Sequence, residues 1–211
     1  QQFLNDYSSI SFLNTNVNRS SGPNANTSAI VFDIYDKRRK YNFNSNFFQS
    51  YAPRLSEKKG FRADLSFREL KGKFKYTLRW GGMDKYYNQN ELGLSRFNNL
   101  QRFNVTLNYQ ILKENRFFRS YNNYLSINER YRFNEFYRTG GGFRFGNNIT
   151  LQNLIELELD FQYAGREKDF FEPRVRDRYV IYPENFEIKF GLKTNTNNIF
   201  SYGFEYKNNE F

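Results

Sequence analysis

Apolar side chains recur at every second position along most of this chain, and that period is the strongest constraint on its fold. Phe61, Ala63, Leu65 and Phe67 alternate with Arg62, Asp64, Ser66 and Arg68. Phe74, Tyr76, Leu78 and Trp80 alternate with Lys73, Lys75, Thr77 and Arg79. The same beat runs through Phe103–Ile111, Ile155–Tyr163, Phe186–Leu192 and Phe200–Tyr206. A period of two places one set of side chains in an apolar medium and the other in water, as on a β-strand. Less regular segments at about 7–17, 28–36, 41–51, 119–131 and 137–150 fit the same reading, which brings the expected strands to eleven. No window carries a capped helical period.

The connections also alternate. Long or medium gaps fall at Asn18–Thr27, Ala52–Gly60, Gly82–Gln101, Arg132–Phe136 and Ala164–Asn185. Short ones fall between them, at Asp36–Lys40, Leu70–Gly72, Leu112–Arg116, Leu151–Asn153 and Asn195–Asn198. Transmembrane β-barrels have this asymmetry, with tight periplasmic turns and longer external loops. A β-sandwich also strings short alternating strands together. Its close-packed interior, however, favours Val, Ile and Leu, whereas the apolar stripe here is mostly Phe and Tyr. Aromatics make up 20% of the chain although only 38% of it is hydrophobic, which suits rings toward lipid and polar residues toward a wet interior. The expectation is therefore an all-β, antiparallel outer-membrane β-barrel over residues 1–211. An odd count of eleven would leave one edge open in lipid, so the chain is expected to be part of a larger barrel.

Composition narrows the chemistry. With no Cys and no His there is no disulfide, thiol nucleophile, Ser–His pair or Cys/His zinc site, so no catalytic residue, metal or cofactor is expected. The formal charge of +10 admits anionic partners, including lipopolysaccharide, acidic glycans and nucleic acid.

Three segments carry a resemblance. They are Asn5-Asp6-Tyr7-Ser8-Ser9 with Thr15-Asn16-Val17-Asn18-Arg19; Asn90-Glu91-Leu92-Gly93-Leu94; and Phe170-Phe171-Glu172-Pro173-Arg174 with Arg178-Tyr179 and Pro183. In order and spacing the chain resembles the C-terminal barrel region of an uncharacterised outer-membrane family of Bacteroidota. Members of that family usually carry an N-terminal carbohydrate-binding-module-like domain. The resemblance implies an outer-membrane location and a link to glycans, and supplies no catalytic residues.

Several clusters invite two readings. Glu156, Glu158 and Asp160 share one face of a strand and could be the paired acids of a glycosidase. Alternatively they form a cross-strand ladder with Arg144, Lys189 and Lys193, and this reading is preferred. Together with Arg102 and Asn104 these residues would line the lumen. The segment Gly165–Pro183, with Arg166, Arg174, Arg176, Arg178 and Tyr179, could bind phosphate or sugar, or pair with its own acids over the barrel mouth. Tyr86 and Tyr87 offer sugar-stacking rings or plain surface. Gly140-Gly141-Gly142 lacks the Lys-Ser/Thr of a phosphate loop and reads as a bend, a bulge or room for a neighbour. Lys37–Lys40 reads as a solvated turn.

The expected function is a non-enzymatic, porin-like barrel for glycan-linked binding or passage, or a subunit of an outer-membrane complex. Its expected partners are outer-membrane lipid and lipopolysaccharide, other outer-membrane proteins and glycans. One alternative is a structural anchor for a carbohydrate-binding-like domain. Another is a soluble nucleic-acid binder, whose aromatics would need a separate aliphatic core behind them.

Overall fold

The computed structural model describes residues 1–18, 20, 24–51, 59–88, 98–175, 177–195 and 201–210. They form β1 (Gln2–Asn5), β2 (Ser8–Val17), β3 (Ala25–Tyr35), β4 (Tyr41–Tyr51), β5 (Gly60–Glu69), β6 (Phe74–Met83) and β7 (Leu100–Ile111). β8 (Phe118–Tyr131), β9 (Arg138–Leu151), β10 (Glu156–Ala164), β11 (Glu167–Asp169), β12 (Val180–Tyr182), β13 (Asn185–Lys193) and β14 (Gly203–Glu210) follow. The fold is all-β and antiparallel, with no helix among the described residues.

Twelve strands make one sheet in the order β1–β10, β13, β14, each neighbour in sequence also a neighbour in space except across the β11–β12 hairpin. The eleven expected strands correspond to β2–β10, β13 and β14. The count of eleven is corrected to twelve in the sheet by β1, a four-residue edge strand with no alternation long enough to read. β11 and β12 form a second, two-stranded sheet inside the long connection after β10, also missed from sequence. β1 and β14 stand at opposite edges, so the twelve strands form an open meander among the described residues.

Each strand follows its alternation. One register row joins Ile34, Phe43, Phe67, Leu78, Val105, Ile127, Phe143, Tyr163 and Phe186 across the successive strands β3–β10 and β13. The adjoining row on the other face runs Asn42, Arg68, Thr77, Thr106, Ser126, Arg144, Gln162 and Glu187. Along these two rows one face is apolar and the other polar. The apolar row also drifts. It leaves β3 next to its short-turn end at Tyr35 and reaches β13 next to its long-loop end at Asn185. A register that slides nearly a strand's length across the sheet is the stagger of tilted strands.

Burial is inverted relative to a water-soluble domain. Among the described residues, the buried hydrophobic side chains are Ala25, Ala29, Ala63 and Tyr87. Buried polar residues are more numerous and include Ser8, Asn42, Ser45, Gln101 and Asp160. Across the apolar face, Phe43, Leu78, Phe103, Ile127, Phe143, Leu159 and Phe190 all stand exposed. Many apolar side chains, Phe67, Val105, Leu107 and Phe161 among them, are instead half-buried. Rings gather toward both ends of the apolar face: Tyr109 and Tyr121 meet at 6.2 Å near the short turns, Phe103 and Tyr131 at 5.9 Å near the long loops.

The two longest connections, 84–99 and 165–184, leave the same end of the sheet, but the expected alternation is otherwise incomplete: 112–117 is as long as 132–137, and 194–202 is longer than 18–24 or 52–59. The turn after β3 is held by Asp36, whose Oδ1 accepts the backbone N–H of Lys40 at 2.6 Å and of Tyr41 at 2.7 Å. The Tyr41 N–H, and to a lesser degree those of Arg38 and Lys40, hold the Asp36 carboxyl below its ordinary value despite partial desolvation. The basic run there is a turn with local partners: Lys40 pairs with Glu69 at 3.0 Å and Arg39 lies over the Tyr7 ring at 4.1 Å.

Candidate functional site

The polar face brings the expected ladder together on β9, β10 and β13. Asp160 is 5% exposed, receives the Arg144 Nε at 2.8 Å, and accepts the Tyr124 hydroxyl. Gly146, directly opposite Tyr124 and Asp160, leaves room for that ring, since a Cβ there would collide with it. Lys189 bridges Glu158 at 3.2 Å and Glu205 at 3.4 Å. Glu156 stands opposite Lys193 in register. Asn104 donates to Ser126 Oγ at 3.3 Å, within a polar chain that includes Thr106. Alternating acids and bases on neighbouring strands of one face create this arrangement, in which Asp160 and Glu158 bond cross-strand partners and Glu156 only faces Lys193 in register.

A larger feature lies at the long-loop end. A cavity of about 960 Å³ is lined by the ends of β7 and β8, the connections around Lys85–Tyr86 and Asn98–Asn99, and the segment Glu167–Asp177. Its walls hang on a few polar anchors. Asp84 Oδ1 accepts the backbone N–H of Tyr86 at 2.9 Å and of Tyr87 at 2.7 Å, and Asp84 Oδ2 accepts that of Phe61. Asn99, 8% exposed with φ +52°, accepts from the Asn134 backbone at 2.9 Å and donates to Glu135 at 2.9 Å. Arg130 reaches Glu167 at 2.5 Å, tying the β11–β12 hairpin to β8. Arg132 pairs with Glu135 at 3.1 Å and Asp177 at 3.4 Å while stacking 4.6 Å from the Phe170 ring.

The glycine run at Gly140–Gly142 serves these contacts. Arg130 pairs with Gly140 and Tyr131 with Arg138, leaving Thr139 as a bulged, buried residue. Gly140 lies against Glu167, and Gly141 accepts the Gly165 N–H at 2.9 Å. Lys168 bonds the Tyr137 hydroxyl, and this contact raises the Lys168 ammonium above its ordinary value against some desolvation.

Of the loop residues singled out from sequence, Tyr86 and Arg174 line the cavity. Tyr87 does not: it is 2% exposed, packed over Gly60, and burial raises its phenol above the ordinary value. Tyr179 lies 5.1 Å from Phe170 with the two rings tilted, and the Lys168 ammonium is 5.0 Å from its ring. Arg166 and Arg178 are exposed. Arg176 lies outside the described residues. From the polar-face set, Arg102 lines the cavity wall. Arg130, Arg132, Asp84 and Asn99 were not singled out from sequence. A signal for Arg130 existed, because the β7–β8 hairpin register sets it directly opposite Arg102.

Among the described residues no group of three or more Asp or Glu side chains is placed to hold a metal ion. No helix is long and apolar enough to cross a membrane, which says nothing of strands. No curated protein and no solved structure matches the chain. A family model described as Domain of unknown function (DUF5916) matches residues 1–211, and the chain belongs to that family.

Proposed function

We propose that this chain is the wall of a bacterial outer-membrane β-barrel, non-enzymatic, serving glycan-linked binding or passage or acting as a subunit of an outer-membrane complex. The observation that carries the reading is the inverted burial: in the nine-strand apolar row Phe43, Leu78, Ile127 and Phe143 stand exposed and the rest are half-buried, while most of the fully buried residues are polar. In water that face is a large unfavourable surface; in lipid it is solvated. The polar face then lines an interior with its own paired charges. The strand stagger, the aromatic bands and the two longest connections at one end agree with a barrel whose other end faces the periplasm. Closure in lipid requires the outer edges of β1 and β14 to be paired, because an open edge leaves backbone groups without partners there.

The soluble nucleic-acid alternative needs an aliphatic layer behind the rings, and Arg68, Thr77, Thr106 and Ser126 occupy that position. The location in a Bacteroidota-like envelope and the glycan link rest on the resemblance in the opening segments and the Phe170–Pro183 stretch. Extraction and gel mobility test the reading. A barrel leaves the membrane only with detergent and runs differently on SDS gels before and after boiling. A protein that is soluble without detergent and shows one mobility refutes it.

A further inference from the structure

The cavity at the long-loop end has an uneven charge account. Six cations face it: Lys85, Arg102, Arg130, Arg132, Lys168 and Arg174. Four acids face it too, and all are engaged. Glu135 and Asp177 are taken by Arg132, and Glu167 by Arg130. Asp169 accepts the backbone N–H groups of Phe171 and Glu172 at 2.7 and 3.1 Å.

What is left is positive. Arg102 stands directly opposite Arg130 on the neighbouring strand, where like charges oppose each other. Among the described residues the Arg102 guanidinium has no hydrogen-bond or ion-pair partner. Arg130 spends one nitrogen on Glu167, but its Nε is buried and without a partner. The Nε is closed off from the cavity, so the unpaired Arg102 guanidinium beside the partly exposed Arg130 guanidinium is what leaves a position for an acceptor. Guanidinium groups on two register-paired residues lining one cavity suit the oxygens of a carboxylate or phosphate. Tyr86 and Phe171 add aromatic side chains to the same wall, the Tyr86 ring with the Lys85 ammonium 5.3 Å from its centre, and aromatic and cationic groups together suit an anionic sugar.

We infer that this cavity binds an anionic sugar, its carboxylate or phosphate group held between Arg102 and Arg130. The inference rests on the barrel reading only for the side of the membrane to which the cavity opens. Uronate and phosphosugar share the oxyanion chemistry, and separate probes distinguish them.

The test is calorimetric titration of the full-length protein in detergent with oligogalacturonate, glucose 6-phosphate, inorganic phosphate and a neutral dextran oligosaccharide. One or both anionic sugars bind, weaken with added salt, and outcompete phosphate and dextran. Arg102→Gln lowers that affinity about tenfold or more, since it removes a charge-assisted hydrogen bond, and Arg102→Lys recovers part of it. Arg130→Gln also breaks the tie to Glu167, so Arg102→Gln is the decisive variant, with unchanged heat-modifiable mobility as its folding control. Dextran or phosphate binding as tightly as the sugars, an unchanged affinity in Arg102→Gln, or no binding by any probe overturns the inference. Binding without heat-modifiable mobility keeps the site and removes the barrel; mobility without binding does the reverse.

Discussion

Leu78→Arg separates a lipid-facing sheet from one in water. Leu78 is the fifth residue of β6, 44% exposed, and sits between Phe67 and Val105 in the apolar row. It lies four residue steps from Phe74 and five from Met83, about 14 and 17 Å at the usual rise, or roughly 10–13 Å of depth once the strand is tilted. An arginine side chain cannot span that depth to reach the headgroups, and the flanking Phe67 and Val105 offer no acceptor. In a bilayer the substitution should therefore lower the unfolding free energy by about 2–4 kcal/mol, the range for Arg near the midplane. In water the same change at an exposed position would stay within about 0.5 kcal/mol. Thr77→Glu is the control, a charge one residue away but on the polar face opposite Arg68 and Thr106. Its expected effect is small. The assay is urea unfolding of the protein refolded into lipid vesicles, followed by loss of heat-modifiable mobility. Equal stability of Leu78→Arg and wild type, or equal losses in both variants, would refute the reasoning.

Further predictions follow from the same geometry. Replacing Glu156, Glu158 and Asp160 by their amides should cost stability, up to about 3 kcal/mol given that only Asp160 is buried and Arg144 is half exposed; urea unfolding measures it. The accompanying expectation is that no glycosidase activity exists to be lost. Asp36 has a lowered folded-state pKa, so its contribution is present above the unfolded carboxylate value and disappears as pH falls through the folded one. Unfolding measured from neutral to strongly acidic pH should show a stability loss at the acid end that is smaller in Asp36→Asn. Gly60→Ala should dislodge residues 84–88, because the added Cβ would collide with the Tyr87 backbone. Limited proteolysis should cut that segment faster while gel mobility stays unchanged.

The strands were the most legible part of this chain because alternation is a local property. Each of the eleven segments read from sequence contains a strand, the last only from Gly203 onward, with Phe200 outside the described residues, since period-two residues define the faces. β1 escaped because four residues carry almost no period, and β11–β12 because their three-residue strands sit within a charged segment. The ladder of Asp160, Arg144, Glu158 and Lys189 was legible once neighbouring strands were assumed to pair in order. The cavity was not. It depends on Thr139 bulging out of register, on Asn99 in a left-handed conformation, and on the hairpin folding back to Arg130. Those are non-local events, and only the Arg102–Arg130 juxtaposition followed from register. Tyr87, singled out as a surface ring, turned inward because Gly60 admits the chain above it.

The central claim, that one face of this sheet meets lipid, is tested most directly along β7. The chain has no cysteine, so single substitutions to Cys at each position from Phe103 to Tyr109 can carry a spin label without background from these 211 residues. With the protein in vesicles, collision with oxygen, which concentrates in lipid, should peak at 103, 105, 107 and 109. Collision with a water-soluble nickel chelate should not peak there. Equal access of both quenchers at those four positions, or nickel maxima at them, would contradict the account.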